Sequence, residues 1–334
     1  MSYQPQFTVS PTLLSLAEEI AGLRERIQGA TVQVAWIPAL QKDARIRNAH
    51  SSTAIEGNPL TLEQVRAVES QPDLVQASAH SRREVLNYFA ALRHIEKNAA
   101  PKNMTHEDVL RLHAIIAGHV MDQGTAGAYR DIRVRVGPHV PPPPEEVSGL
   151  MAEWLDWWNR EAPKLSPVLS SAILHYRFED IHPFADGNGR TGRAVALWEL
   201  YRRGFDTHHI FSVDEYYWEN RPRYYAELQA VQAHGQDLTG WLEYCARGMK
   251  QTLERVWQRV RQFAVSHGNP KLVLRPRQEQ LLALLRDSGG LSPREIRTRL
   301  VVSKQGAMDL LNPLLRAGLI ARTGTLKFGR YVLK

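Results

Sequence analysis

The segment from His182 to Arg193, HPFADGNGRTGR, places an imidazole, a carboxylate, three glycines and two arginines within one short stretch. Glycines let the backbone adopt a tight turn and approach a ligand closely, and main-chain amides at a helix start bind anions. The amides of Gly187, Asn188 and Gly189 are therefore candidates for a phosphate cradle. Asp186, just before them, is a hard oxygen ligand suited to Mg²⁺ bridging phosphates.

The remaining polar residues of this segment supply a base and two cations. His182 can act as a general base near neutral pH. Arg190 and Arg193 are three residues apart on one face of the following helix pattern, so both guanidinium groups could reach one polyphosphate. With Thr191 and Gly192 between them, they complete a nucleotide-binding segment over residues 187–193. This set predicts phosphoryl or nucleotidyl transfer.

Gly187, Gly189 and Gly192 also spell G-x-G-x-x-G, the pattern of a dinucleotide-binding turn. That turn requires a buried strand before it and an acidic residue about 20 positions later. Asp206 could serve as the acidic residue, but the preceding SPVLSSAILHYRFEDI has helical spacing and a Ser-Pro helix start. Because no alternation of strands and helices surrounds the glycines, we exclude an NAD site.

The whole composition is that of a globular protein of about two domains, with 334 residues, 43% hydrophobic and 23% charged. The single cysteine, Cys245, cannot form an internal disulfide, which favours a reducing compartment. The N-terminus resembles no signal peptide, and no apolar run approaches the ~20 residues of a membrane span. We therefore expect a cytoplasmic protein with no membrane partner.

The hydrophobic spacing predicts an all-α fold with one short β-hairpin and a second, small domain. Helical patterns fill most of the first 265 residues, interrupted by alternating residues and a Gly-Pro turn between Arg130 and Val140. The predicted domains are an N-terminal helical region (1–100), a catalytic core (101–264), a linker (265–275) and a C-terminal domain (276–334).

The C-terminal domain reads as three helices followed by a hairpin, which is typical of a winged helix-turn-helix. Residues 275–334 contain 12 basic and four acidic residues, a net charge of +8, whereas the whole chain has a net charge of +7. This charge favours duplex DNA as a partner, with the third helix as reader and Lys327 and Arg330 on the wing. Winged helices also dock proteins, and the sequence leaves that alternative open.

The central segment resembles the signature of the Fic family, H-x-F-x-[D/E]-G-N-G-R-x-x-R, at every defined position. The matching residues are His182, Phe184, Asp186, Gly187, Asn188, Gly189, Arg190 and Arg193. The resemblance implies a helical core that transfers AMP from ATP to a Ser, Thr or Tyr hydroxyl of a target protein.

The same resemblance implies a role for each residue of the signature. His182 would take the hydroxyl proton, Asp186 would hold Mg²⁺ on the α- and β-phosphates, and the glycine loop would form the anion hole. The two arginines would bind the outer phosphates, and Phe184 would be a buried anchor. Related Doc-type kinases typically have lysine where Gly189 stands, which argues against transfer of the γ-phosphate.

Two further segments resemble parts of this family. The hairpin at 130–140 is similar to a flap along which the target protein docks by strand addition. The segment RPRYYAELQ is similar to one that helps line the nucleotide pocket, which would involve Tyr224 and Tyr225.

The segment SSTAIEGNPL resembles the family's inhibitory motif, [S/T]-x-x-x-E-[G/N], with Ser52, Glu56 and Gly57 at the defined positions. A carboxylate paired with Arg193 would occupy the site of the γ-phosphate, so ATP would bind with its α-phosphate misaligned. Glu56 could alternatively position a water that removes AMP from a modified target, and the sequence does not separate these uses.

The sequence leaves other functions open. The same site could transfer UMP or phosphocholine, or remove AMP. A different class of function is a DNA-binding regulator whose Fic core senses ATP. The sequence also does not identify the target protein, and it leaves open whether the chain forms a homodimer.

Overall fold

The computed structural model describes residues 3–29, 37–100, 102–206, 208–266, 274, 276–316, 318–324 and 329–333. The chain divides into two compact units. The first comprises Met1–Ile27 and Leu40–Trp257, and the second comprises Gln28–Ala39 and Gln258–Lys334. The chemistry-bearing segment lies in the first unit.

The first unit is helical. Its helices are α1 (Pro11–Gly29), α2 (Ile37–Ile55), α3 (Leu62–Ser70), α4 (Ala79–Lys97), α5 (His106–Ala117), α6 (Pro144–Arg160), α7 (Pro167–Ile181), α8 (Asn188–Arg202), α9 (Asp214–Glu219), α10 (Arg221–Ala233) and α11 (Thr239–Ser266). Of these, α1, α2 and α11 extend past the unit boundaries. Short 3-10 turns lie at Pro72–Leu74 and Ala162–Lys164.

Helix starts follow local capping chemistry. Thr105 caps α5 in a capping box with Asp108, and Thr61 caps α3 in the same way with Gln64. At α7, Pro167 occupies the first turn, where its missing N–H costs nothing. The predicted Ser-Pro helix start at Ser166–Pro167 is therefore confirmed.

Helix α7 is the central element of this unit and packs against α6 and α8. Eleven of its 15 residues are buried, among them the polar Ser170, His175 and Asp180, so burial extends beyond a single apolar stripe. Aromatic side chains fill the surrounding core; the buried tryptophans are Trp154, Trp157, Trp158, Trp198 and Trp241. The chemistry-bearing segment thus joins two rigid, buried helices.

The predicted hairpin at 130–140 is reduced to its turn. Val136 and His139 exchange backbone hydrogen bonds of 3.0 Å in each direction across Gly137 and Pro138, and the described residues show no strand on either side. The physical reason lies in the next residues, since Pro141 to Pro144 have no N–H to extend a ladder. The alternating residues of this segment alone did not predict that strand pairing would stop at the turn.

The second unit confirms the predicted winged-helix order of elements. Helices α12 (Pro276–Ser288), α13 (Pro293–Leu300) and α14 (Lys304–Arg316) precede antiparallel strands β1 (Ile320–Thr323) and β2 (Arg330–Leu333), with Ile320 opposite Leu333. Leu291 adds a bridge to Tyr331.

Leucines from the three helices form the core of this unit, including Leu281, Leu285, Leu311 and Leu314. Lys327 of the predicted wing lies outside the described residues. Of the predicted linker, α11 continues through Ser266 and only Leu274 is otherwise described.

Among the residues that the structure describes, no helix combines the length and apolarity that a bilayer span requires. Cys245 is a buried free thiol, and burial raises its pKa, which fits a packed residue rather than a nucleophile.

Candidate active site

The junction of α7 and α8 depends on two residues in the left-handed region. His182 caps α7 with φ of 50°, and its N–H donates to the Phe178 carbonyl at 2.9 Å. Gly187 precedes α8 with φ of 76°, a conformation that glycine adopts without strain. The two turns place the His182 ring and the first amides of α8 beside the same cleft.

Arg130 fastens this junction to the neighbouring segment. Its Nε donates to the His182 carbonyl at 2.8 Å, and its Nη atoms donate to the carbonyls of Ile132 and Pro142 at 3.0 and 2.5 Å. The backbone N–H of Arg130 donates to Pro183 at 2.9 Å. One buried guanidinium therefore holds both ends of the segment that contains the Gly137–Pro138 turn.

The loop between the helices is closed by its own side chains. The Asn188 amide pairs with the backbone of Phe184 in both directions, at 2.9 and 2.8 Å. Thr191 Oγ1 donates to the Gly187 carbonyl at 2.8 Å. Phe184 is buried and stacks on His113, with ring centroids 3.6 Å apart. Asn188 and Thr191 thus shape the loop instead of facing the cleft.

The predicted anion cradle lies at the start of α8. The first N–H groups of a helix have no intrahelical partner, and the helix dipole favours an anion there. Asp186 lies beside this helix start with 38% of its side chain exposed, and its Oδ1 accepts from the Gly187 N–H at 2.6 Å. Because the Gly187 N–H is paired in this way, the cradle stays a prediction that depends on the main-chain amides of Asn188 and Gly189.

His182 borders the cleft, with 16% of its side chain exposed. Its pKa is lowered to about 4, chiefly by burial and also by the neighbouring charges of His139 and Arg130, so the imidazole is neutral at physiological pH. Its Nδ1 is buried without a hydrogen-bond partner. A neutral imidazole at a cleft has the charge state that a general base needs.

Arg193 and the predicted inhibitory residues meet in one ion pair. Nη2 of Arg193 donates to Glu56 Oε1 and to the Ser52 carbonyl, both at 2.8 Å, and its Nε donates to Ser52 Oγ at 2.9 Å. The Arg193 side chain is fully buried, whereas 31% of the Glu56 side chain is exposed. Gly57 follows with φ of 99°, which favours glycine.

Gly189 makes this ion pair compatible with the start of α8. A Cβ at this position would overlap Glu56 Oε1 and would lie 3.2 Å from Arg193 Nη1. The Glu56 carboxylate therefore sits against the bare backbone of the anion cradle, in the space that a side chain at 189 would fill.

Arg190 does not face the cleft in the manner of Arg193. Its Nη1 pairs with Glu84 Oε1 of α4 at 2.5 Å, its Nη2 lies 3.8 Å from Asp186 Oδ1, and only 4% of its side chain is exposed. Binding of an outer phosphate by Arg190 stays a prediction. In the structure, Arg190 links α8 to Glu84 on α4 and to Asp186 in the preceding turn.

The two adjacent tyrosines of α10 both line the cleft. Tyr224 is buried, and its hydroxyl lies 3.0 Å from His175 Nε2 and 3.5 Å from Arg193 Nη1. Tyr225 is half-buried, and its hydroxyl donates to the Ile55 carbonyl at the end of α2 at 3.2 Å. Tyr224 thus contacts Arg193, and Tyr225 contacts the segment that carries Glu56.

Sequence reasoning missed Glu179, His175 and Glu84. Glu179 and His175 lie on α7 one and two turns before His182, so helical spacing could have placed them on its face. Glu84 pairs with Arg190, which lies more than 100 residues later in the sequence, and no local sequence pattern predicts such a pair.

Comparison with known proteins identifies both parts of the chain. Residues 103–200 match the model of the Fic/DOC family, and residues 274–327 match that of the MarR family. The chain contains a Fic domain and a MarR-type winged helix domain. The Fic match includes the His182–Arg193 loop.

Curated relatives and solved structures agree with these matches. The protein adenylyltransferase Fic of Culex quinquefasciatus is 32% identical over 241 residues, which are 71% of this chain and 46% of that protein. That of Nematostella vectensis is 34% identical over 64% of this chain and 49% of that protein. This chain thus spans about half the length of the curated relatives it matches.

Among solved structures, a Fic family protein from Desulfovibrio desulfuricans G20 is 28% identical with a TM-score of 0.68, over 99% of this chain and 98% of that chain.

Proposed function

We propose that this protein transfers AMP from ATP to the hydroxyl of a Ser, Thr or Tyr side chain on a target protein or on itself. The observation that carries the proposal is the neutral His182 imidazole beside the start of α8, with Arg193 on the same cleft. The relatives named protein adenylyltransferase Fic support the same reaction.

The reaction uses His182 as base. The target hydroxyl gives its proton to His182 Nε2 as its oxygen attacks the α-phosphorus of ATP. The bond from that phosphorus to the bridging oxygen breaks, and pyrophosphate leaves with the electron pair. The amides of Asn188 and Gly189 stabilise the charge that develops on the phosphate oxygens. His182 then releases its proton to solvent.

The donor set fits ATP with Mg²⁺. Mg²⁺ is usually held by one or two carboxylates together with phosphates and waters, so the half-exposed Asp186 suffices as the protein's ligand. The described residues contain no group of three His, Cys, Asp or Glu side chains that could hold a metal ion by themselves. When bound, Mg²⁺ would neutralise phosphate charge.

Glu56 restrains this reaction. Its carboxylate holds the Arg193 guanidinium at 2.8 Å, which is the group that would otherwise bind the γ-phosphate. ATP bound without that contact has its α-phosphate displaced, and a misplacement of about 1 Å can cost on the order of 10²-fold in rate. A water positioned by the same carboxylate would instead remove AMP from a modified target.

The target docks along the segment 130–140. The local ladder ends at the Val136–His139 bridge, so an added strand can pair with the segment beyond it, although the Ile132 carbonyl already accepts from Arg130. Ile132, Val136 and Val140 are exposed there, which gives an incoming chain apolar contacts beside the His182 ring.

Labelled ATP tests the proposal directly. Glu56→Gly should transfer label from the α-phosphate but not the γ-phosphate to protein, and Glu56→Gly/His182→Ala should lose the transfer. Label from the γ-phosphate would indicate a kinase, and absence of both labels would overturn the proposal. UTP and CDP-choline, run in parallel, test the alternative donors, and a pre-labelled target tests AMP removal.

We further propose that the C-terminal domain binds duplex DNA. The support is the MarR match together with the net +8 of residues 275–334. Ser303, Lys304 and Gln305 are exposed at the start of α14, where a recognition helix presents its base-contacting residues. Arg330 lies on β2, with its Nη2 3.5 Å from Glu295.

A further inference from the structure

Two buried polar atoms beside the cleft have no hydrogen-bond partner. They are Nδ1 of His182 and Oε1 of Glu179, and this Oε1 points toward Gly192 and lies 3.9 Å from His175 Nε2. Glu179 Oε2 lies 3.8 Å from that Nδ1, and only 14% of the Glu179 side chain is exposed. Unpaired buried polar groups are rare because each forfeits its hydration, so such a pair calls for a function.

The chain makes room for this carboxyl group. A Cβ on Gly192 would overlap Glu179 Oε1 and would lie 3.3 Å from the His175 ring. Gly192 therefore leaves a pocket between α7 and α8 that the Glu179 carboxyl fills. This explains a glycine in the first turns of a buried helix, where it costs about 1 kcal/mol relative to alanine.

We propose that Glu179 is a positioning residue for His182, accepting the Nδ1–H so that Nε2 is free to take the target proton. The inference rests on the proposed function. A base of this kind is unprotonated at Nε2 only in the Nδ1–H tautomer, and a carboxylate at Nδ1 selects that tautomer. Closing the 3.8 Å gap by about 1 Å completes the bond.

Glu179 is also close to the brake. Its neighbours with ionisable side chains are His175 and His182 on α7, Arg193 on α8, Tyr224 on α10 and Glu56 after α2. Burial raises the pKa of Glu179 to about 8, Arg193 lowers it, and Glu56 raises it. Departure of Glu56 would remove a group that raises this pKa and leave the Arg193 cation that lowers it, so Glu179 would shift toward the carboxylate form that accepts from His182.

Proton accounting in the released state is simple. The target proton moves to His182 Nε2, and the Nδ1 proton remains on the ring while the Glu179 carboxylate accepts its hydrogen bond. The imidazolium formed is stabilised by that carboxylate. The His182 proton passes to solvent after pyrophosphate has left, and Glu179 ends as it began.

The test compares Glu56→Gly with Glu56→Gly/Glu179→Gln and Glu56→Gly/Glu179→Asp. For the Gln variant, kcat should fall about 10-fold or more, since an orienting carboxylate contributes up to ~10⁴ in other enzymes. KM for ATP should stay within about threefold, because Glu179 does not contact the α8 amides. The Asp variant should recover part of kcat, and Asp156→Asn on α6 serves as the carboxylate control.

Two readouts separate positioning from folding. Loss of the carboxylate removes a charge that raises the pKa of His182, so the acid limb of kcat should move to lower pH. Imidazole ¹⁵N shifts should report the Nδ1–H tautomer in Glu56→Gly and a mixture in the Gln variant. Unchanged kcat and an unchanged tautomer would overturn the inference. If Glu56→Gly transfers no label, the proposed function fails. The tautomer measured by ¹⁵N shifts still tests whether Glu179 positions His182.

Discussion

The Glu56 carboxylate occupies the space that a Cβ on Gly189 would need, so the proposed inhibitory residue and the predicted anion cradle share one volume. A side chain at residue 189 would force the Glu56 carboxylate to shift from its position on Arg193. This relationship links a glycine in the loop signature to a glutamate more than 130 residues away, and it is testable by stability.

Gly189→Ala should have opposite effects with and without Glu56. In the Glu56→Gly background it should stabilise the fold by about 0.5–1 kcal/mol, the helix preference of alanine over glycine. With Glu56 present, overlap with the carboxylate should cancel that gain. Chemical denaturation measures both. Gly149→Ala on α6, where a Cβ meets nothing within 4 Å, should stabilise both backgrounds equally; equal gains at 189 would contradict the overlap.

Ser52→Ala should release the brake only in part. The substitution removes the acceptor for Arg193 Nε but leaves the Ser52 carbonyl and Glu56 on Nη2. A buried donor without a partner costs about 1–3 kcal/mol, so the unfolding free energy should fall by that amount. Auto-labelling with α-labelled ATP should lie between wild type and Glu56→Gly. Labelling equal to that of Glu56→Gly would show that Ser52 carries the whole restraint.

The pH profile of the released enzyme should reflect a buried base. Burial lowers the pKa of His182 to about 4, and the base works only when neutral. Activity of Glu56→Gly should therefore persist as pH falls below ~6.5, the pKa of a free imidazole, and should be lost only near the lowered value. A kcat/KM profile over pH 4–8 checks this, and a limb at the free value would contradict burial of the working base.

Glu179→Gln should stabilise the fold increasingly with pH. Burial raises the pKa of the Glu179 carboxyl in the folded protein to about 8, against an ordinary value of 4.5. Between these values the native state holds a proton that the unfolded chain has lost, so wild-type stability falls as pH rises. The difference in melting temperature should grow from pH 4.5 to 8 and then level off. A constant difference would mean that Glu179 is not buried as described.

DNA binding by the C-terminal domain should weaken steeply with salt. Each phosphate contact adds about 0.9 to the slope of log affinity against log salt concentration. Lys304→Gln should lower the slope by about one and weaken binding to all sequences alike if Lys304 contacts phosphate. Arg160→Gln on α6, an exposed arginine of the first unit, is the control. Absence of salt-dependent binding in wild type would favour a protein partner.

Much of the site was predictable because its residues are local. The spacing from His182 to Arg193 sets the loop, the cradle and one arginine fork without help from distant elements. The Glu56–Arg193 pair needed a motif resemblance, since helical pattern alone does not say which residues meet across the core.

The unpredicted parts depend on tertiary contacts or on missing donors. Glu84 reaches Arg190 from α4, a pairing that burial of both helices creates. The segment at 130–140 alternates like a strand, yet the Arg130 guanidinium binds the carbonyls of Ile132 and Pro142. The prolines after Val140 also have no N–H to donate to a second strand. The four prolines were the signal that could have limited the hairpin to its turn.

The location of Glu56 bears on how the proposed inhibition could be relieved. Glu56 directly follows the last residue of α2, and the left-handed Gly57 comes next, whereas Ser52 lies a full turn inside the helix. If Glu56 inhibits as proposed, a change of main-chain torsion angles at this helix end would move the carboxylate off Arg193 without unwinding α2. A partner that binds at this helix end would then be enough to activate the enzyme.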